Sequence, residues 1–372
     1  MRILGETNID FIRWRKIAFI ISGVFIAISV TSLVIKGGPK LGLDFTGGIE
    51  VHLQFEKSPS IGDIRSALSK IGLGSAIIQR YGSKGENTVL VRYHLEKISE
   101  KIASRIMDYR EKKGKFTSLE ELKEIRGIEE IGYENLTGIF TLKEEESNKI
   151  NLNKADRETI VSVIQGINSQ HMADKIQKAV EKKLGKENPF KVISVNLIGP
   201  KVSKELQRSA ISAILFALIA MLVYIGWRFE FRFAIGAVVA LIHDIFISIG
   251  ALSLGNFELT LPVIAALLTI VGYSLNDTIV IYDRIRENMK TFRKGRALLK
   301  KILNLSINQS LSRTLITSLT TLFVVVVLFI WGGEPLRAFT FTLLIGVIVG
   351  TYSSDFIATP VVYAWSKRSY KR

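Results

Sequence analysis

Leu259-Thr260-Leu261-Pro262-Val263-Ile264-Ala265-Ala266-Leu267-Leu268-Thr269-Ile270-Val271-Gly272-Tyr273-Ser274-Leu275-Asn276-Asp277-Thr278-Ile279-Val280-Ile281 decides the fold. At a rise of 1.5 Å per residue it is long enough to cross a hydrocarbon core of ~30 Å. It is apolar except for a short polar run ending at Asp277 and Thr278. A carboxyl inside hydrocarbon is expensive and is usually retained for a transport or proton-relay task. The stretch therefore predicts a membrane span with chemistry in it.

Five further apolar stretches surround it: Ile17 to Ile35, Ala210 to Trp227, Phe233 to Leu254, Leu315 to Trp331 and Ala338 to Ala364. With Leu259 to Ile281 they predict a polytopic α-helical membrane protein of six transmembrane helices. The first follows Arg13, Arg15 and Lys16, but it is longer than a usual signal core and no small-residue cleavage site follows it, so a retained anchor is expected. Residues 1–36 then form an N-terminus and one span, 37–205 a polar domain, and 206–372 five spans and a tail.

Basic short loops stay in the cytoplasm. Arg13, Arg15 and Lys16 precede the first span, and Arg228 and Arg232 join the second and third. Arg284, Arg286, Lys290, Arg293, Lys294, Arg296, Lys300 and Lys301 lie between the fourth and fifth, and Lys367, Arg368, Lys371 and Arg372 close the chain. The opposite loops, Gly255 to Glu258 and Gly332 to Pro335, hold no basic residue. Both termini are expected inside and the polar domain outside.

A formal charge of +16 raises the possibility of a nucleic-acid binder. The segment Gly37 to Glu205, however, holds 28 basic and 24 acidic residues, so most of the excess lies in the membrane portion and serves topology. No nucleic-acid partner is expected. The absence of cysteine leaves the outer domain to stand on its hydrophobic core. His52, His94, His171 and His243 are scattered without ligand spacing, so no metal or cofactor is expected. No Walker loop, nucleophile elbow or dinucleotide fingerprint occurs, which argues against an enzyme.

In the polar domain, Leu43-Asp44-Phe45-Thr46-Gly47-Gly48 precedes a strand in which Ile49, Val51, Leu53 and Phe55 alternate with polar residues. Ser60 with Asp63 reads as a cap for a helix presenting Ile64, Ala67, Leu68 and Ile71. Ile77 to Tyr81 and Thr88 to Tyr93 read as a hairpin around Gly82 to Asn87, a helix starts near Ile98, and Lys191 to Leu197 supplies a last strand. The order β-α-β-β-α-β predicts a ferredoxin-like α+β domain.

Between the second helix and the last strand, Ile102 to Leu184 reads as a helical insert. Phe116 to Ile128 is echoed by Asn151 to Ile160 and Ile164 to Ile167, which resembles paired helix-hairpin-helix modules of the kind attached to DNA-uptake and secretion proteins. Such hairpins offer backbone N–H groups to phosphate from a Gly-hydrophobic-Gly turn. Here Glu129 and Asn168 replace the second glycine, and Glu129 and Glu130 repel phosphate. The insert is expected to be a helical packing or protein-contact module.

In the bundle, Asp277 lies about 25 Å along a span entered from outside, Arg313 begins the fifth span from the inside, and Asp355 lies deep in the sixth. The three share one depth. A carboxyl that moves between apolar surroundings and a guanidinium can take up and release a proton, so Asp277 and Arg313 are the candidate proton relay. Asn276 and Thr278 flank the carboxyl, and Asp244, next to His243 in the third span, and Asp355 are candidate supporting groups. Adjacent helix positions point about 100° apart, so His243 and Asp244 are not expected to face one partner. A fixed Asp277–Arg313 pair that only pins helix register is the structural alternative. Asp283 reads as an interfacial anchor at the cytoplasmic border, and Glu258, at the outer border, as solvated.

Val271 to Asn288, Ser310 to Ser318, His243-Asp244, Gly199-Pro200 and Leu43 to Gly48 together resemble the SecF subunits of the SecD/SecF family, within the resistance-nodulation-division superfamily. The resemblance implies pairing with a SecD-like subunit and association with the SecYEG channel. It also implies proton-motive force used to draw unfolded secretory polypeptides across the inner membrane, with Asp277 and Arg313 in proton passage. No family role extends to Ile102 to Leu184. A proton-driven small-molecule efflux subunit of the same superfamily is the alternative, as is a purely structural or receptor protein.

Overall fold

The computed structural model describes residues 7–81, 85–93, 96–143, 149–198, 200–292 and 296–369. The hairpin turn at 82–84, His94, Gly199, Arg293, Lys294, Lys371 and Arg372 lie outside the described residues. In chain order the elements are α1 (Phe11–Ile35), α2 (Leu43–Thr46), β1 (Gly48–Phe55), α3 (Ile61–Ser69), β2 (Ile77–Tyr81), β3 (Thr88–Tyr93) and α4 (Glu96–Lys113). A 3-10 turn (Leu119–Glu124) leads to α5 (Ile128–Ile131), α6 (Tyr133–Ile139), β4 (Phe140–Thr141), β5 (Ile150–Asn151), α7 (Arg157–Leu184) and β6 (Phe190–Ile198). Then come α8 (Pro200–Arg228), α9 (Phe231–Leu254), α10 (Leu261–Thr291), α11 (Arg296–Trp331), α12 (Glu334–Ser353), a π-turn (Ser354–Ala358) and α13 (Thr359–Ser369). Two compact units result: Met1–Lys40 with Ser209–Arg372, and Leu41–Arg208.

The first unit is a helical bundle with six helices long and apolar enough to cross a membrane. Its centre is α9, α10 and the α12–α13 span, whose apolar windows are 61%, 56% and 50% buried, against 22% for α1, 11% for α8 and 17% for α11. The peripheral helices turn Phe216, Val223, Leu319 and Phe323 outward, as lipid-facing helices do. Apolar attraction between helices is weak in lipid, so close approach at small residues has to hold the bundle together. A side chain at Gly250 would overlap Ser29 of α1, and one at Gly346 would overlap Ile270 of α10.

The π-turn has a local cause. Pro360 has no N–H for the Phe356 carbonyl, so the helix widens just before it, and the Thr359 hydroxyl donates to the Ser354 carbonyl at 3.3 Å.

The second unit is an antiparallel sheet in the order β2-β3-β1-β6, the ferredoxin-like arrangement. Gly47 and Gly48, with φ of +68° and +132°, turn the chain from α2 into β1, a backbone that side chains with a Cβ rarely adopt. Ile49, Val51, Leu53 and Phe55 pack with Ile64 and Leu68 of α3 and with Met172, Ile176, Val180 and Leu184 of α7. Ser60 caps α3, accepting from the Asp63 N–H at 3.4 Å, and Lys183 of α7 pairs with Asp63 at 3.1 Å.

Two sequence expectations change here. The second helix on the sheet is the C-terminal half of α7, not the helix near Ile98. Ile102, Ala103 and Ile106 of α4 instead join Phe116, Leu122, Ile128, Leu136, Ile160 and Ile164 in a separate core. The insert read as Ile102 to Leu184 therefore includes residues that belong to the sheet core. The second echo is also not a hairpin: Asp156 caps α7 by accepting from the Thr159 N–H at 2.8 Å, and the helix runs unbroken through Gly166, Ile167 and Asn168. Burying Ile160, Ile164 and Ile167 in one core and Met172 to Leu184 in the other offsets the ~1 kcal/mol that a helical glycine costs.

Candidate functional site

Among the described residues, three buried aspartates stand in the helical bundle, and they differ in what reaches them. Asp244 of α9 is fully buried and receives the Ser274 hydroxyl of α10 at 2.7 Å and the Ser353 hydroxyl of α12 at 2.8 Å. His243 Nδ1 lies 2.9 Å from its other oxygen. The two side chains, which helix geometry alone points apart, meet each other; Asp244 accepts hydrogen bonds from α10 and α12, and the His243 ring lies 6.3 Å from that of Tyr352 of α12.

Asp277 of α10 is 2% exposed, and the hydrogen bond found at its carboxyl comes from the Ser318 hydroxyl of α11, at a long 3.4 Å. Ser318 is in turn 2.7 Å from the Thr351 hydroxyl of α12. Thr278, the next residue, donates to the Ser274 carbonyl at 3.1 Å, and its hydroxyl is 2.9 Å from that of Ser354. Ser354 also donates to the Gly350 carbonyl at 2.9 Å. A ladder of small hydroxyls thus lines the seam between α10 and α12. Serine and threonine satisfy themselves on their own helix backbone and need no water, which suits a seam within a membrane.

Asp355 is the second residue of the π-turn and is 5% exposed. Among the described residues no hydrogen bond or ion pair reaches its carboxyl, and the charge that acts on it is that of Asp277. The Arg313 side chain of α11 is exposed in the isolated chain. It makes no ion pair with Asp277 among the described residues, although its charge is near enough to act on that carboxyl. The fixed-pair alternative has no such contact to stand on.

Asn276 is exposed beside Gly272 in a groove with Ala220, Met221 and Tyr224 of α8. Thr269, Gly272 and Asn276 form one uncovered stripe of small and polar residues along α10. Asp283 is exposed and paired with Arg228 at 3.2 Å, as an interfacial residue would be. Glu258 differs from the sequence expectation: its side chain is 12% exposed and pairs with Lys40 at 3.2 Å. Among the described residues, no group of three or more His, Cys, Asp or Glu could hold a metal ion.

Sequence reasoning missed the hydroxyl ladder, namely Ser318, Thr351, Ser353 and Ser354, and also the π-turn. Part of the signal was present: Thr351, Ser353 and Ser354 lie within about one helical turn of Asp355, and Pro360 stands inside an apolar span.

The SecD/SecF C-terminal family of protein export membrane proteins matches residues 176–368, the SecD/SecF GG motif matches 32–59, and a helix-hairpin-helix motif matches 90–141. Protein translocase subunit SecF of Calditerrivibrio nitroreducens is 38% identical over 97% of this chain and 95% of its own length. The subunit of the same description from Koribacter versatilis is 36% identical over 99% of this chain and 94% of its own length. The crystal structure of SecDF from Thermus thermophilus, described as a translocon-associated membrane protein, aligns with 98% of this chain at 27% identity and a TM-score of 0.68. A SecDF crystal structure in a super-membrane-facing form aligns with 99% of this chain at 27% identity and a TM-score of 0.61. This chain spans only 39% and 40% of those two SecDF chains.

Proposed function

Because this chain belongs to the SecF branch of the SecD/SecF family of protein export membrane proteins, we propose that it uses the proton-motive force to promote passage of unfolded secretory polypeptides through the Sec channel. It is a multi-pass membrane protein and an accessory subunit of Sec export. Under this reading it sits in the bacterial inner membrane, with both termini in the cytoplasm and the α+β domain outside. The basic loops favour that orientation.

The observation that carries the reading is Asp277: a carboxyl buried in a membrane bundle, held by one long hydrogen bond and without an ion-pair partner among the described residues. A group serving only to pin helices would be satisfied, as Asp244 is. Arg313, exposed on α11, is the cation that would meet it when the bundle rearranges. Thr278 fixes the turn that carries Asp277, Asp244 orients α10 and α12, and Asn276 faces outward toward a partner.

That partner is a SecD-like subunit. The SecDF chains carry a further three-fifths of their length beyond the part aligned here, and the stripe at Thr269, Gly272 and Asn276 is of the kind that admits another helix closely. The SecDF of Thermus thermophilus is itself translocon-associated, which supports SecYEG as the channel served. A membrane potential supplies ~2.3 kcal/mol per proton per 100 mV. That is comparable to the few kcal/mol separating conformational states.

Maturation of a secreted reporter in cells tests the reading. Asp277→Asn or Arg313→Ala is expected to abolish this protein's contribution to export, while insertion and binding of the SecD-like subunit persist. Normal export in both variants would remove the relay.

A further inference from the structure

We propose that Asp355 is a second proton-binding carboxyl, which shares its proton with Asp277 across the seam between α10 and the π-turn. This rests on the proton-coupled reading above and adds a residue and a path to it.

The argument starts from the contrast with Asp244. Both carboxyls are buried in the same bundle, at 0% and 5% exposure. Asp244 receives two serine hydroxyls and the His243 ring, so its oxygens are provided for. The carboxyl of Asp355 has no hydrogen bond or ion pair among the described residues. An ionised carboxylate buried without donors is costly, so a structural acid would have acquired them. A carboxyl left without them is a place to lodge a proton.

The ionisable and phenolic groups on the elements packed against the π-turn leave Asp277 as the counterpart of Asp355. From α9 come His243 and Asp244, which engage each other. From α12 comes Tyr352, whose hydroxyl donates to the Ala18 carbonyl at 2.9 Å. From α1 comes Arg15, whose guanidinium lies over the Tyr363 ring of α13. From α10 come Asp277 and Tyr282, a neutral phenol whose hydroxyl has no partner among the described residues. The hydroxyls of Thr278 and Ser354, the immediate neighbours of the two acids, stand 2.9 Å apart. Two carboxyls so placed do not ionise independently, and one proton serves both.

The transfer balances without any other group. The proton leaves one carboxyl oxygen and joins the other carboxyl when the two acids approach, one O–H bond breaking as another forms, and nothing else is consumed. The π-turn gives the step a mechanical side. A widened turn is a place where a helix can shift its register, which would swing Asp355 relative to Asp277.

Infrared titration of the carboxyl C=O band tests this on the full chain in lipid, for the wild type, Asp277→Asn, Asp355→Asn and Asp355→Glu, beside reporter export. The glutamate variant assigns the band by moving it, even if the asparagine variant fails to insert. In wild-type protein the Asp355 band is expected to titrate in two steps. In Asp277→Asn it should titrate in one step, displaced by about one pH unit or more. Asp355→Asn should reduce export and displace its pH optimum. A band that titrates identically with and without Asp277, or that ignores pH altogether, would overturn the sharing. If Asp277→Asn abolishes export while Asp355→Asn matches wild type in rate and pH profile, the second carboxyl is refuted and the proposed function stands. Wild-type export in Asp277→Asn would refute the function itself.

Discussion

Asp244, Asp277 and Asp355 show that the chemistry of an acid in this bundle is set by its donors rather than by its depth. All three are at most 5% exposed, yet they receive respectively three polar contacts, one long hydrogen bond and none among the described residues. The same principle operates in the α+β unit at Glu50, where the donors are complete. Burial opposes its ionisation, but hydrogen bonds from His52 at 2.8 Å and Arg92 at 2.7 Å, with the Arg92 charge, outweigh that and hold its pKa below the ordinary value. Glu50→Ala would remove the acceptor that His52 and Arg92, both nearly buried, share, at a cost of about 1–3 kcal/mol. Hydrogen exchange at the facing Val51 and Val91 amides measures the loss. The folded-state pKa lies below the unfolded one, so Glu50 stabilises fully above the unfolded value, ~4.3, and the benefit fades as pH falls through the folded one. Wild type and variant should therefore converge in acid, and a gap that widens there would contradict this account of Glu50.

At the scale of elements, α11 is longer than a membrane requires, and its first turns have a separate task. Asn308 donates to the Ile9 carbonyl and accepts from the Ile9 N–H, both at 2.9 Å. One turn back, Asn304 accepts from the Ile12 N–H at 3.1 Å and donates to Asp10 at 2.7 Å, and Lys300 completes the row on Asp10 at 2.6 Å. Side chains at i, i+4 and i+8 thus bind the segment leading into α1. Each bond is worth about 1 kcal/mol. Asn308→Ala should accelerate amide exchange at Ile9 about fivefold and spare Ile12, and Asn304→Ala should do the reverse. Unchanged exchange in both would show that the row does not hold the segment.

The spans and the strands were legible because each obeys one period or one length: long apolar runs for the helices, alternation for β1. What escaped were features that need two elements to exist. α7 serves two cores, and its second-half stripe, Met172-Ile176-Val180-Leu184, gives no local sign of which sheet it will cover. The hairpin echo at 151–167 has the residues of a turn but the packing of a straight helix. Asp277 was visible as an acid in hydrocarbon. Its weak satisfaction and the lack of donors at Asp355 were not, since donors arrive from other helices.

At the scale of the whole molecule, one protein unit brings the acids and an exposed arginine together in a membrane bundle, and the other is a ferredoxin-like sheet with an added helical module. Proton movement in the first matters for export only if it biases the path of a polypeptide, and that is the central claim. The direct measurement is uptake of a secretory protein into inverted inner-membrane vesicles that contain this chain with its SecD-like partner and the Sec channel, with and without an imposed pH gradient. Wild-type vesicles should gain uptake from the gradient, and Asp277→Asn vesicles should keep their basal uptake but gain nothing. An equal gain in both would contradict the claim, because protons would then assist export without passing through Asp277.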